Sequence, residues 1–260
     1  MILEIKDAAC GYGSRTIISG LSLDIHSGEI LCILGPNGVG KTTFFKTILG
    51  FLKIQGGEIS IDGDNIHNWS RKKLAKVIAY VPQAHTPPFP FLVKDVVTMG
   101  RTVHLGTFAS PSKNDVAIAE RAMELLEISY LKDRIYTEIS GGERQMVLIA
   151  RALTQEPDFL IMDEPTSNLD FGNQIRVLEQ INRLSETGLG IIMTSHFPDH
   201  AFLCSSKVAL FQRNNNFIIG YADEVVTEDN LKSAYGVNVK IATTIDKDGS
   251  VIKSCVPLLA

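Results

Sequence analysis

Residues 35–43 read GPNGVGKTT, which fits the pattern G-x-x-x-x-G-K-[ST] at Gly35, Gly40, Lys41 and Thr42. Its flanks decide what it means. Before it lies EILCIL (29–34), a short apolar run with the look of a buried strand, and after it FFKTILGF (44–51), whose spacing predicts a helix ending near Gly50. A glycine-rich turn between strand and helix lets backbone N–H groups curl around phosphates, and the helix N-terminus adds a favourable dipole. Lys41 is then placed to reach the β- and γ-phosphates, and the Thr42 hydroxyl to hold Mg2+. The stretch predicts a nucleotide-binding α/β core.

Working outward, LEIKDAACGY (3–12) alternates, and TIISGLSLDI (16–25) reads as a second strand across a Gly-containing turn. GEISIDGDNI (57–66) reads as a strand and turn, VIAYVP (77–82) as a buried strand. Residues 87–115 are rich in Pro and Gly, with one helical piece around 93–99. DVAIAERAMELLEISYL (115–131) has helical apolar spacing at Val116, Ala119, Ala122, Met123 and Leu126. These features predict a mostly helical subdomain, about residues 84–155, inserted into the core. DFLIMDEP (158–165) resumes the core as a nearly continuous apolar strand of the kind buried in a parallel sheet. A helix over 173–187 and a strand over 189–196 complete a βαβ alternation. From Lys207 onward the tail reads as strands and a short helix.

A phosphate loop alone suits a GTPase, a small-molecule kinase, a helicase or a transport ATPase. Asp163 and Glu164, at the end of the strand FLIM, narrow the choice. Asp163 suits the Mg2+ side of the site, and Glu164 can orient or deprotonate an attacking water, which implies hydrolysis over transfer to an organic acceptor. No Asn-Lys-x-Asp guanine reader is present. TEISGGERQM (137–146) supports two readings. Ser140 and Glu143 form a capping box at a helix start. Gly141 and Gly142, not needed for a cap, offer bare backbone that also suits a phosphate.

With 260 residues, 45% hydrophobic and 21% charged, the composition is that of an ordinary globular protein. A formal net charge of −4 argues against a dedicated nucleic-acid binder. Cys10, Cys32, Cys204 and Cys255 form no C-x-x-C pair and suit a reducing cytosol. The N-terminus MILEIKDAAC lacks a basic n-region and a long apolar h-region, so no signal peptide is expected. No apolar run approaches the ~20 residues that span a bilayer.

These motifs, taken together and in order, resemble the ATP-binding cassette family across the chain to about Asp223. They are Tyr12, the phosphate loop, Gln83, ISGGE (139–143), Asp163–Glu164, SNLD (167–170) and His196. The resemblance implies an α/β fold: a P-loop NTPase (RecA-like) core, an N-terminal antiparallel β subdomain and the inserted helical subdomain. Residues 1–223 would be the ATPase domain and 224–260 a C-terminal extension packed on the core. ATP and Mg2+ are the implied cofactors. Gly35, Pro36, Asn37, Gly38, Val39, Gly40, Lys41, Thr42 and Thr43 would surround the phosphates while Tyr12 stacks on adenine. Thr42, Gln83 and Asp163 would hold Mg2+, and Glu164, His196, Gln83 and Lys41 would carry the chemistry. In this family two cassettes pack head to tail. Ser140, Gly141, Gly142 and Glu143 of one would close on ATP held by the other, and Asp170 would contact the facing protomer. Ile139 replaces a usual Leu, and Glu143 replaces a usual Gln; the capping box gives that carboxylate a place to point away from phosphate.

VKDVVTMGRTVHLGTF (93–108), SGGERQMVLIARAL (140–153) and DEPTSNLDFGNQIRVLEQI (163–181) are similar to cassettes of importers for iron-siderophores, haem and cobalamin, a group that includes molybdate and tungstate importers. The implied protein is the ATP-hydrolysing subunit of a metal-chelate importer. It would be a homodimer on the cytoplasmic side of the membrane, under polytopic permease subunits served by a substrate-binding protein, with no nucleic-acid partner. A molybdate or tungstate importer, and more distantly a non-transport cassette, are the alternatives. PPFPFL (87–92) and the stretch after it would receive a permease helix, although a loop covering the core would look the same.

Overall fold

The computed structural model describes residues 1–83, 89–106 and 108–259. β1 (Ile2–Tyr12) and β2 (Arg15–His26) form a long antiparallel pair with one apolar face, including Leu3, Ile5, Ile18, Leu21 and Ile25. The alternation in β1 slips between Ile5 and Ala8, where a bulge with Asp7 at φ 49° brings Ala8 and Cys10 back to the buried face. β3 (Ile30–Leu34) and α1 (Lys41–Ile48) come next in the chain. β4 (Gly56–Ile61) and β5 (Asp64–Asn65) then complete a four-stranded antiparallel sheet, order β2-β1-β4-β5.

α2 (Arg71–Val77) leads into β6 (Ile78–Val81). Three helices follow: α3 (Val93–Thr98), α4 (Lys113–Leu125) and α5 (Gly141–Leu153). β7 (Phe159–Met162), α6 (Phe171–Glu186), β8 (Gly190–Ser195), α7 (Asp199–Cys204), β9 (Lys207–Phe211) and β10 (Phe217–Gly220) then return the chain to the core. The second sheet has the order β10-β9-β3-β8-β7-β6 and is parallel except for β10. Every residue of β3, β7 and β8 is buried. Period two explains why: Leu31, Ile33, Phe159, Ile161 and Ile192 pack toward α1 and the N-terminal sheet, while Cys32, Leu34, Leu160, Met162 and Met193 pack toward the helices. A strand between two cores has no wet face, so its sequence is apolar throughout. Burying each large side chain contributes about 1.5–3 kcal/mol.

Several elements differ from the sequence expectation. The spacing over 115–131 places Val116 on the apolar stripe, but Val116 is 41% exposed and Ile118 takes the inward position. The helix starts earlier, at the Ser112 capping box, and its inward face opens with Asp115, which is bonded to buried Arg101 at 2.9 Å. Leu126 is buried yet lies beyond the helix, which ends before Glu127 at φ 60°. α2 and α7, seven and six residues long, carry too little periodicity to be read. The tail forms two helices, α8 (Ala222–Val225) and α9 (Glu228–Tyr235), then a hairpin of β11 (Val239–Ile245) and β12 (Val251–Pro257). Val225, Val226, Leu231 and Ala234 enter the core shared with the helices. Pro87 and Pro88 of PPFPFL, and Thr107, lie outside the described residues.

Candidate functional site

β3, β8, β7 and β6 are parallel neighbours, so their C-terminal ends share one edge of the sheet, where ligands of open α/β sheets bind. Those ends lead, in the same order, to the phosphate loop, His196, the Asp163–Glu164 pair and Gln83. Gly35 has φ 144°, and a Cβ there would stand 2.4 Å from the Phe211 carbonyl oxygen. Gly40, at φ 107°, would bring a Cβ to 2.8 Å from Ile18. The loop is thus packed on β9 and β2 at positions that admit only glycine. α1 begins at Lys41, earlier than the apolar spacing predicts, so Lys41, Thr42 and Thr43 form its first turn. Its N-cap, Gly40, provides no side-chain bond, whereas Ser112, Ser140, Asp170 and Thr227 cap α4, α5, α6 and α9. The first-turn amides of α1 are therefore available to an anion. Lys41 Nζ donates to the carbonyls of Gly35 (2.6 Å) and Pro36 (3.1 Å). Burial pulls its pKa down, opposed by the charges of Glu164 and Asp163.

Thr194 organises the carboxylates. Its hydroxyl donates to Asp163 Oδ1 and accepts the Glu164 N–H, both at 2.8 Å. The Thr42 hydroxyl donates to Asp163 Oδ2 at 3.4 Å. Burial pushes the Asp163 carboxyl up, against the pull of the Thr194 hydroxyl. This desolvated carboxylate beside a hydroxyl is a hard-oxygen donor set that fits Mg2+. Gln83 does not join that pair; its Nε2 donates to Glu164 Oε2 (3.4 Å) and Ser167 Oγ (3.1 Å). His196 Nε2 bonds the other carboxylate oxygen of Glu164. Glu164 itself sits at φ 50°, a left-handed conformation that is costly for a non-glycine residue and concentrated at functional sites.

A cleft of ≈ 220 Å³ joins Tyr12 to Asn37, Gly38, Lys41, Thr42 and Glu164. Tyr12 is 46% exposed, with Lys46 Nζ 3.5 Å from its hydroxyl. Ser140, Gly141, Gly142, Glu143 and Asp170 do not line this cleft. Ser140 caps α5, and Glu143 Oε2 accepts the Ser140 N–H at 2.8 Å while Oε1 accepts the Tyr130 hydroxyl at 3.2 Å. Partial burial raises the Glu143 pKa, but the Ser140 and Tyr130 bonds bring it below the usual value. Asp170 caps α6, accepting the Asn173 N–H at 2.9 Å and its Nδ2 at 2.7 Å. Sequence reasoning missed Thr194, and it placed Ser167 in the SNLD motif without its bond to Gln83. A polar residue inside the apolar run IIMTS was the available signal for Thr194.

Residues 18–167 match the ABC transporter family model. The chain belongs to the ATP-binding cassette family. This cassette is 43% identical to an uncharacterized ABC transporter ATP-binding protein of Haemophilus influenzae, over 90% of this chain and 89% of that one. It is 34% identical to the iron(3+)-hydroxamate import ATP-binding protein FhuC of Bacillus subtilis, over 93% and 90%. A solved structure described as an inward-facing metal-chelate type ABC transporter superposes with TM-score 0.88 at 31% identity, covering 99% of this chain and 97% of that one. The cassette is an ATP-binding, ATP-hydrolysing subunit of a transporter complex. Among the described residues no helix is long and apolar enough to cross a membrane.

Proposed function

We propose that this cassette powers uptake of a metal chelate of the iron-siderophore, haem or cobalamin type. It acts as a head-to-tail homodimer at the cytoplasmic face of the membrane, beneath a polytopic permease fed by a binding protein. The observation that carries this reading is the match to the metal-chelate type transporter over 99% of the chain, which includes the C-terminal elements beyond the nucleotide core. The working division is an ATPase domain over 1–223, with its helical insertion at about 84–155, and an extension over 224–260.

In this reading Tyr12 stacks on adenine, and Asn37, Gly38 and the first turn of α1 take the phosphates. Lys41 leaves the Gly35 and Pro36 carbonyls for the β- and γ-phosphates. Thr42, Asp163 and Gln83 would hold Mg2+, which would supply positive charge to neutralise the phosphates. Glu164, kept in place by His196, orients a water and accepts its proton as the water oxygen attacks the γ-phosphorus. The bond from that phosphorus to the bridging oxygen breaks, leaving ADP and phosphate. Ser140, Gly141 and Gly142 of the facing cassette close on the γ-phosphate, with Glu143 folded back on Ser140 and Asp170 at the dimer contact. Residues 93–108 receive the permease.

Disrupting the chain in its own cell is the test. Uptake of labelled ferric hydroxamate, haem or cobalamin falls to background while molybdate uptake persists. Loss of molybdate uptake alone moves the cargo to oxyanions, and normal uptake of all four overturns the importer reading.

A further inference from the structure

The C-terminal elements reach into the phosphate loop. The Gly35 N–H, the first donor beyond β3, donates to the Tyr235 hydroxyl at 2.9 Å across 200 positions of sequence. The carbonyl of the same glycine accepts Lys41 Nζ at 2.6 Å. Its Cα side is packed on Phe211, where a Cβ would meet the carbonyl oxygen at 2.4 Å. The first residue of the loop is thus held by β9, by Lys41 and by Tyr235.

Tyr235 ends α9, and α9 is itself well seated. Leu231 and Ala234 lie in the core, and the helix closes on Gly236 at φ 74°. At its start, Glu228 accepts Lys240 Nζ at 2.8 Å and the Ile241 N–H at 3.2 Å, both from β11. From β12, Ser254 Oγ and the Cys255 N–H both donate to Asp199 Oδ1 at 2.8 Å. The next residue, His200, bonds Ser195 Oγ at 2.8 Å, immediately before His196. The tail therefore holds the residue that follows β3 directly and reaches the end of β8 through α7. Burial pushes the Tyr235 hydroxyl up to about 12, against the pull of the Gly35 N–H, so it stays neutral at any physiological pH.

We propose that Tyr235 is a positioning residue for the phosphate loop: its hydroxyl holds Gly35 so that the loop is shaped for phosphates before ATP arrives. The proposal rests on the ATP-binding reading above and assigns the tail a part in it. A loop ordered in advance loses less freedom on binding. Without the hydroxyl, part of the empty population leaves the competent shape, and apparent affinity falls by that fraction.

Tyr235→Phe in the full chain keeps the ring and removes only the hydroxyl. Equilibrium titration with a fluorescent ATP analogue is expected to show binding weakened about three- to tenfold, the size of one neutral hydrogen bond. KM for ATP rises in parallel, while kcat stays within about twofold because no contact to the reacting atoms is touched. Amide exchange at Gly35, followed by NMR on glycine-labelled protein, speeds up in the nucleotide-free variant. Unchanged affinity with a lowered melting midpoint makes Tyr235 structural support and overturns the proposal; unchanged affinity and melting overturn it equally. A wild-type chain that binds no ATP sinks the ATP-binding reading and this proposal with it, a result obtained before any variant is made.

Discussion

Glu164 combines three features at one residue: a left-handed backbone at φ 50°, an N–H held by Thr194, and a carboxylate bonded by both Gln83 and His196. Strain of this kind must be offset by the surrounding bonds and is concentrated at functional sites, in keeping with the base role proposed for Glu164. Glu164→Gln keeps the shape and the hydrogen-bonding capacity but removes the basic oxygen. ATP binding is expected to be unchanged, while phosphate release at saturating ATP falls about 10²–10⁴-fold, the usual contribution of a positioned base. Release at the normal rate would take the base role away from Glu164. The sequence made Glu164 legible through its place after FLIM and beside Asp163. The partner that aims it, Thr194, lies on a different strand and carried only the faint signal of a polar residue in an apolar run.

Among the elements, α4 illustrates how capping and charge can overrule apolar spacing. Ser112 starts the helix and its hydroxyl bonds Asp115, which turns inward to Arg101; Arg101 also donates to the Thr154 carbonyl at 2.8 Å and to Glu156 at 2.6 Å. The start of α4 and the end of α5 are thereby fastened to one buried guanidinium. The Ser112 hydroxyl, followed by Arg101, pulls the Asp115 carboxyl from its ordinary 3.8 to about 2. Its folded pKa is depressed, so the stability it contributes is present above its ordinary value and is lost as pH falls through its folded one. Asp115→Asn is expected to lower the melting midpoint at neutral pH and to flatten its decline between about pH 4 and pH 2. An unchanged acid slope in the variant would show that other carboxylates govern that range. The period of α4 was legible from its apolar residues. Its first turn was not, because an inward-facing Asp is intelligible only once its Arg partner, 14 residues away, is in place.

At the scale of the whole molecule, Gly141 and Gly142 open α5 behind the Ser140 cap but do not line the cleft at the phosphate loop. In the proposed dimer this turn serves the facing cassette, and the two glycines differ as probes of that role. A Cβ at Gly142 would stand 2.5 Å from Asn173 and disturb the subunit itself, whereas at Gly141 the nearest atom, Leu169 Cδ2, is 3.6 Å away. Gly141→Asp is therefore expected to leave melting and ATP binding by the single cassette close to wild type while reducing hydrolysis more than about tenfold, since the new carboxylate would face a phosphate. Persistent hydrolysis would leave the turn as a helix cap.

The sequence by itself determined the strand–loop–helix unit at Gly35–Lys41, the buried strands, the carboxylate pair and the Ser140–Glu143 capping box. Each of these depends on backbone preference and burial pattern over a few neighbouring residues, which a linear string displays. Only the tertiary structure decided that β3, β8, β7 and β6 lie side by side, so that Gln83, Asp163, Glu164 and His196 meet at one edge. It alone placed Thr194 on the carboxylates, Gln83 on Glu164, and Tyr235 on the phosphate loop. Those contacts arise from strand order and from packing between distant segments, and no spacing within the chain encodes them.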